Sequence, residues 1–340
     1  MNNIKHISVI NSWLHSLINN VELPSNFLIK PIQGDASVRK YYILLDPTND
    51  DTLPFIIMQS PNDNDLKNFI NIANYLNKLN LPINIPKIFA VHNQDNYSYI
   101  LLDHLGDDLL YNIINIHNAR YIYKFAWHAL ANIQLATSKN KTITIPSMNR
   151  EYISKNLLIF KEWYLETHLK LHNIKNLNNI LNHLENYFTN IFQDQPQVFV
   201  HLDYHSKNLI LNSNILGIID FQDAMRGPIT YDIVSLLQDA YLVWPENLAE
   251  TILLDYFNHI QQLNSLKFQE FLRYFYLTGL QRHIKNLGVF ARLKYFYKKN
   301  IYLQYIPNLL IYIHKTCNKF NDKELSMLKN LLPEIAMIKD

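Results

Sequence analysis

The stretch VFVHLDYHSKNLILNSNILGIIDFQDAMRGPITYD, residues 198–232, is a short β-rich island between two long regions of helical pattern. Its apolar runs NLIL and ILGIID are joined at Asn212-Ser213-Asn214 and are typical of two buried strands in a hairpin. Residues 107–194 and 231–336, on either side, carry apolar side chains at helical spacing. The pattern predicts a mostly helical region that is interrupted by a hairpin with polar ends.

The N-terminal part of the chain has a different texture. Helical spacing from Ile4 to Leu17 and from Leu66 to Leu76 predicts two amphipathic helices. Strand-like apolar runs occupy 27–32, 41–45, 55–59, 87–91 and 97–102. Strands with one helix among them favour a small, mostly antiparallel sheet. We therefore predict an α+β fold with a small N-terminal lobe, residues 1–103, and a larger helical C-terminal lobe, residues 104–340.

Composition excludes several classes of protein. The chain of 340 residues contains 6 glycines, and no two are spaced as in G-x-G-x-x-G, so glycine-rich nucleotide loops are absent. The formal net charge of +2 is too balanced to indicate a nucleic-acid or membrane partner. A single cysteine excludes an internal disulfide framework. The N-terminal residues lack a secretory signal and no long apolar run follows, so we expect a cytoplasmic protein.

The island also carries the residues that indicate chemistry. His201, Asp203 and Asn208 have the H-x-D-x-x-x-x-N spacing of a kinase catalytic loop, in which Asp receives a hydroxyl proton and Asn binds Mg²⁺. Asp220-Phe221 follows the predicted hairpin, and a carboxylate there suits a second Mg²⁺ ligand. The alternative is a buried hairpin whose polar ends are merely solvated. The order of loop, hairpin and Asp-Phe favours the catalytic interpretation.

These strings resemble a known superfamily. HLDYHSKN followed by IIDFQD is similar to the choline kinase and aminoglycoside phosphotransferase superfamily. The longer IIDFQDAMRGPITYDIVSLLQD, with QGDASVRKYY at 33–42 and LQRHIKNLGVFARL at 280–293, resembles the anomeric amino-sugar kinases of bacterial peptidoglycan recycling. The resemblance runs from about residue 8 to 335. It implies a protein-kinase-like two-lobed fold, ATP and Mg²⁺, a small-molecule amino-sugar acceptor, and no obligate protein partner.

The resemblance also implies roles for individual residues. Asp203 would be the catalytic base at the C1 hydroxyl of N-acetylmuramate or N-acetylglucosamine, and His205 would contact the transferring phosphoryl group. Asn208 and Asp220 would hold Mg²⁺ against the ATP phosphates. His201 is expected to brace the loop rather than react. Asp232 is expected to have a structural role too, by accepting backbone donors at the start of a helix.

The N-terminal lobe is expected to bind ATP. Asp35, Ala36 and Ser37 lie between two strand-like runs, where the superfamily places its nucleotide loop, and Arg39 follows. Met58 stands where protein kinases carry the phosphate-pairing lysine, so the source of that positive charge is open, with Arg39 the first candidate. Leu102 and Asp103 end the last strand and are expected to form the adenine hinge.

The acceptor site is less legible. Gln222, Asp223 and Arg226 follow Asp220 and are expected to face the acceptor. Arg282, Lys285 and Arg292 share one flank of a predicted helix. They either form a solvated basic stripe, or one of them meets the lactyl carboxylate of N-acetylmuramate, a group that guanidinium geometry suits. Arg226 competes for the second role.

Two other functions remain open. The chain could be a small-molecule kinase of the same fold that acts on an aminoglycoside, an amino alcohol or a different sugar. It could also be a pseudokinase that binds nucleotide without catalysis, although retention of Asp203, Asn208 and Asp220 argues against this.

Overall fold

A computed structural model describes residues 2–32, 39–49, 51–140, 142–172, 174–263 and 265–332. Its contacts divide the chain into two units. The first comprises the residues up to Asp108 together with Ile210–Asp223, and the second comprises Leu109–Leu209 and the residues from Ala224 onward.

The first unit is built on a five-stranded antiparallel sheet in the order β1-β2-β3-β5-β4. Its strands are β1 (Leu28–Ile32), β2 (Lys40–Leu45), β3 (Thr52–Pro61), β4 (Ile88–Gln94) and β5 (Tyr97–Asp103). Helix α1 (Asn2–Leu17) packs Ile10, Trp13 and Leu14 into an apolar core with residues of the sheet such as Tyr42 and Ile57. The predicted strands and the small antiparallel sheet are confirmed.

Helix α2 (Asn64–Lys78) lies between β3 and β4 in the chain. It begins where the carboxylate of Asp63 accepts the Leu66 N–H, which satisfies one of the unpaired amides of the first turn. Leu66, Phe69, Ala73 and Leu76 are buried, as the helical spacing predicts.

The hairpin β7 (Leu209–Asn212) and β8 (Ile215–Ile218) joins the first unit rather than the second. The Asn84 N–H donates to Leu216 O, the Ile218 N–H donates to Asn84 O, and the Leu211 N–H donates to Asp108 O. This differs from our division into 1–103 and 104–340, because backbone hydrogen bonds attach Ile210–Asp223 to the N-terminal segment. Sequence periodicity carries no information about such long-range pairing.

The second unit is mostly helical, as predicted. Its helices are α3 (Leu110–Ile113), α4 (Ala119–Lys139), α5 (Arg150–Ile159), α6 (Leu177–Gln193), α7 (Tyr231–Leu237), α8 (Glu246–His259), α9 (Phe268–Tyr295), α10 (Ile306–Lys319) and α11 (Lys323–Lys329). Strand β6 (Gln197–Val200) pairs antiparallel with β9 (Met225–Pro228). None of the helices in the described ranges combines the length and apolarity needed to cross a membrane.

Helix α9 is fixed by a close approach of two backbones. A π-helical segment, Phe160–His168, continues α5 and packs along α9. A Cβ atom on Gly288 of α9 would lie 2.7 Å from backbone atoms of Ile159 and Phe160, so only glycine fits there. Phe160 and Tyr164 are fully buried and belong to the core.

Candidate active site

The loop after β6 alternates between buried and partly exposed side chains. Leu202, Tyr204 and Ser206 are buried, and the Tyr204 hydroxyl donates to the backbone oxygen of Ala126. The residues between them, Asp203, His205 and Lys207, are partly exposed. This alternation anchors one side of the loop in the core and leaves the chemical groups partly accessible.

Asp232 of α7 holds the start of this loop. Its carboxylate accepts the N–H of His201 at 2.6 Å and the N–H of Leu202 at 3.1 Å. Leu202 has φ of 79°, in the left-handed region that a leucine rarely adopts, and such strain persists only where neighbouring contacts enforce it. We expected Asp232 to accept backbone donors at the start of its helix, but the donors belong to the catalytic loop.

A second carboxylate, on Asp239, holds the far half of the loop. It accepts both the backbone N–H of Ser206, at 3.2 Å, and its hydroxyl, at 2.6 Å, and it also accepts the Tyr241 N–H. Asp239 is 1% exposed. Sequence reasoning missed this residue, although an aspartate at the end of the apolar run IVSLLQD was a signal for a buried acceptor.

Lys207 is held by three tyrosine rings. Its Nζ atom lies 4.0 Å from the ring centre of Tyr241, 4.8 Å from that of Tyr111 and 5.5 Å from that of Tyr305. A cation over an aromatic face is stabilised by the ring quadrupole. Because the three tyrosines are distant from one another in sequence, they tie this loop to three parts of the helical unit.

Asp203 lies among cationic and ionisable side chains. Burial raises the pKa of its carboxyl group, but Lys285 foremost, with the side chains of His205, Arg282 and His201, outweighs burial and holds the pKa below its usual value. Asp203 is therefore ionised at neutral pH and can accept a hydrogen bond from a hydroxyl group. The His201 Nδ1 atom accepts the Asp203 N–H at 3.3 Å, which agrees with the expected bracing role.

Asn208 is oriented by the same loop. Its Nδ2 atom donates to the backbone oxygen of Asp203 at 3.0 Å, which directs the Oδ1 atom away from that carbonyl. An amide oxygen is the atom that a hard cation binds. The side-chain orientation therefore suits Asn208 as a metal ligand.

The first unit brings several of the predicted nucleotide residues together. Burial raises the pKa of Tyr41, the Arg39 guanidinium opposes the rise, and the Asp220 carboxylate adds to it, so these three side chains are neighbours. The strand register places Met58 opposite Tyr41. Sequence reasoning missed Tyr41, because a tyrosine in a strand is ordinarily a packing residue.

Phe221 anchors the segment that carries Asp220. Its ring stacks on the ring of Phe69 of α2, with 5.0 Å between the ring centres. The Arg39 guanidinium also lies over the Phe69 ring, 5.6 Å from its centre. Asp220 itself has φ of 66° and follows β8. Arg39 and Asp220 are thus tied through the same aromatic pair.

Gln222 and Asp223 lie with Asp220. The Gln222 Nε2 atom donates to Asp220 Oδ1 at 2.9 Å and to Asp223 Oδ2 at 3.4 Å. Arg226 is exposed on β9 and lines a surface cavity with Thr137 and Gln197. Arg282 is one of the side chains whose charge acts on Asp203, whereas Arg226 is not among them.

Arg282 is buried in the middle of α9, with 3% of its surface exposed. The alternative of a solvated basic stripe is therefore wrong for this residue. Its charge acts on both Asp203 and Asp232. Burial and then the Arg282 charge hold the pKa of the adjacent His283 well below its usual value, so that ring is neutral.

Backbone amides at the expected hinge already donate hydrogen bonds within the first unit. The Asp103 N–H donates to Lys87 O at 3.2 Å, the His104 N–H donates to Pro54 O at 3.0 Å, and Leu102 is buried in β5. Any adenine contact here therefore involves groups other than these two amides. Asp35, Ala36 and Ser37 lie outside the described residues.

Comparison with solved structures defines the class of fold. The chain is similar to choline kinase from Cryptosporidium parvum, with a TM-score of 0.59 and 12% identity over 97% of this chain and 100% of that one. It is also similar to an amicoumacin kinase solved with AMP-PNP and Ca²⁺, with a TM-score of 0.61 and 12% identity over 93% of each chain. The predicted α+β, protein-kinase-like fold is confirmed.

Residues 28–266 match the phosphotransferase enzyme family, so the chain belongs to that family and is a phosphotransferase. Two relatives match over nearly the whole length. The N-acetylmuramate/N-acetylglucosamine kinase of Pseudomonas putida is 30% identical over 95% of this chain and 94% of its own. That of Pseudomonas aeruginosa is 28% identical over 96% of both chains. The resemblance inferred from the motifs is confirmed.

A first prediction concerns the buried carboxylate of Asp232. Burial raises its pKa from 3.8 to about 7, against the opposing effect of the two loop amides. Between those pH values the folded protein holds a proton that the unfolded chain releases, so this group destabilises the fold as pH rises. The wild type should therefore lose stability relative to Asp232→Asn as pH rises. The difference between their free energies of unfolding should change by on the order of 1–3 kcal/mol across this pH range.

The measurement is urea unfolding of both proteins at a series of pH values. Asp255→Asn is the control, because Asp255 of helix α8 pairs with Arg120 of helix α4 and lies outside the loop. Parallel stability curves for the wild type and Asp232→Asn would contradict the prediction.

A second prediction concerns Lys207. Lys207→Met removes the cation, so the loop loses part of its anchoring to the three rings. We expect kcat for phosphoryl transfer to fall about tenfold and KM for the substrates to stay within about threefold of the wild-type values. Lys207→Arg keeps the cation and should restore most of kcat. Lys294→Met, which removes a lysine over Tyr295 at 5.0 Å, is the matched control. An unchanged kcat in Lys207→Met would refute the positioning role.

Proposed function

We propose that the chain transfers the γ-phosphoryl group of ATP to the anomeric C1 hydroxyl of N-acetylmuramate, and also of N-acetylglucosamine, as a step of peptidoglycan recycling in the cytoplasm. The observation that carries the proposal is an ionised Asp203 in a doubly anchored catalytic loop, within a chain that matches kinases named for these two sugars over nearly its full length. The resemblance of the motifs supports the C1 position.

The proposed step forms a bond between the sugar O1 and the γ-phosphorus while the bond from that phosphorus to the β–γ bridging oxygen breaks, and ADP leaves. The O1 proton passes to Asp203 and then to solvent. Because the pKa of Asp203 is held low, this carboxylate is a weak base, and its main effect is to orient the hydroxyl for in-line attack. This suits phosphoryl transfer, in which the loose transition state requires little prior removal of the proton.

The residues present fit a Mg²⁺ ion. Asn208 presents an oriented amide, and the Asp220 carboxylate is braced by Gln222. Mg²⁺ is commonly held by one or two protein carboxylates together with substrate phosphates. When bound, Mg²⁺ neutralises charge on the phosphates. We propose Asn208 and Asp220 as its ligands, from their order in the chain.

The remaining predicted residues receive proposed roles on the same basis. Arg39, with Met58 in place of a lysine, supplies positive charge for the ATP phosphates, together with the loop that contains Asp35, Ala36 and Ser37. His205 contacts the transferring phosphoryl group. Gln222 and Asp223 face the acceptor, and Gln222 also bonds to the carboxylates of Asp220 and Asp223.

The role of Asp203 gives a third prediction. Asp203→Ala should lower kcat with ATP and N-acetylmuramate by roughly 10²–10⁴ while the protein remains folded, because the acceptor loses the group that orients its hydroxyl. The assay couples ADP release to an absorbance change, and circular dichroism checks the fold. Glu151→Ala, on the exposed Glu151–Lys155 pair of α5, is the control and should retain wild-type turnover. Full turnover by Asp203→Ala would remove the central assignment.

A further inference from the structure

Arg282 has incomplete hydrogen bonding for a buried charge. Its side chain lies in the interior of the helical unit, and across the part of the chain that the structure describes its Nε and Nη1 atoms have no hydrogen-bond partner. The great majority of buried polar groups in proteins have a hydrogen-bond partner. Burial of a guanidinium without one costs free energy, because the charge loses its hydration. A charge held in this state indicates a site that a ligand completes.

The nearest carboxylates do not supply the missing partners. The Asp232 carboxylate accepts the amides of His201 and Leu202 and makes no hydrogen bond to Arg282 Nε or Nη1. Arg282 acts on Asp203 through its charge, and so does Lys285, one turn further along α9. The neighbouring His283 is neutral, and its Nε2 atom donates to Gln238 Oε1 at 3.0 Å. Arg282 is therefore a cation that acts on Asp203 and has two donor atoms without a hydrogen-bond partner among the described residues.

Two further buried polar atoms without partners lie on the same pair of packed helices. They are Asn156 Nδ2 on α5 and Gln281 Oε1 on α9, on side chains that are 6% and 1% exposed. A donor amide and an acceptor amide in one helical layer suit a ligand rich in polar groups. A sugar with an acetamido group and hydroxyls has that character.

The charge of Arg282 selects among such ligands. A neutral sugar offers oxygen atoms but no countercharge, whereas a carboxylate offers both, and guanidinium–carboxylate pairs are among the strongest in proteins. The acceptor hydroxyl must meet Asp203, so a cation that acts on Asp203 is near the acceptor ring. A lactyl group on O3 of that ring carries a carboxylate two ring carbons from C1.

We infer that Arg282 binds the carboxylate of an acidic amino sugar and thereby makes N-acetylmuramate a better acceptor than its uncharged counterparts. This inference rests on the proposed function. It assigns Arg282 to specificity, and it leaves Lys285 to act on Asp203 for every acceptor alike.

The test compares kcat/KM for N-acetylmuramate, its methyl ester and N-acetylglucosamine in the wild type and in Arg282→Met. The ester keeps the shape of the acid without its charge. The wild type should prefer the acid to the ester by about tenfold to a hundredfold, and Arg282→Met should reduce this ratio to within about threefold. The ratio cancels any effect of Arg282 on Asp203, because both acceptors use the same base.

Arg273→Met is the matched control, since Arg273 is also on α9 but pairs with Asp322 at 2.6 Å, and it should keep the wild-type ratio. An equal loss for all three acceptors in Arg282→Met would overturn the inference. So would a wild type that does not distinguish acid from ester, a result that is decisive even if Arg282→Met does not fold. Phosphorylation of the sugars without an acid preference refutes this inference alone, whereas turnover of neither sugar refutes it together with the proposed function.

Discussion

The proposed catalytic loop depends on one buried carboxylate. Asp232 accepts two consecutive backbone amides, those of His201 and Leu202, and so stabilises a left-handed leucine that the chain would otherwise avoid. This conformation turns the chain between the end of β6 and Asp203, so that Leu202 packs into the core and Asp203 remains accessible. The buried position costs Asp232 much of its hydration, as its raised pKa shows.

Further contacts hold the loop on the C-terminal side of Leu202. Asp239 holds Ser206, the hydroxyl of Tyr204 is bonded in the core, and three rings surround Lys207. Anchors on both sides of Asp203 are what a reaction controlled by positioning needs, because small displacements of the base reduce the rate steeply. The electrostatic setting agrees with this, since the cations near Asp203 stabilise the ionised form at the expense of its basicity.

Local pattern predicted much of this molecule. The five strands follow from β-type runs, and the catalytic loop follows from residues that are contiguous in sequence, with a spacing that chemistry constrains. Hydrogen bonds between distant segments were not predictable in this way. Asp239 and the tyrosines around Lys207 are distant in sequence from the loop that they contact. The attachment of hairpin β7–β8 to the first unit depends on backbone amides, which every residue has. The burial of Arg282 was likewise invisible, because charged residues on a helix flank are ordinarily solvated.

The central claim is transfer of phosphate to the anomeric oxygen of an amino sugar, and nuclear magnetic resonance of the product tests it most directly. The wild-type protein, ATP, Mg²⁺ and N-acetylmuramate are incubated, and the phosphorus–proton couplings of the product are recorded. The account predicts a new phosphorus resonance coupled to the H1 proton of the sugar, with stoichiometric formation of ADP. Coupling to the H6 protons instead, or no phosphorylated sugar at all, would contradict it.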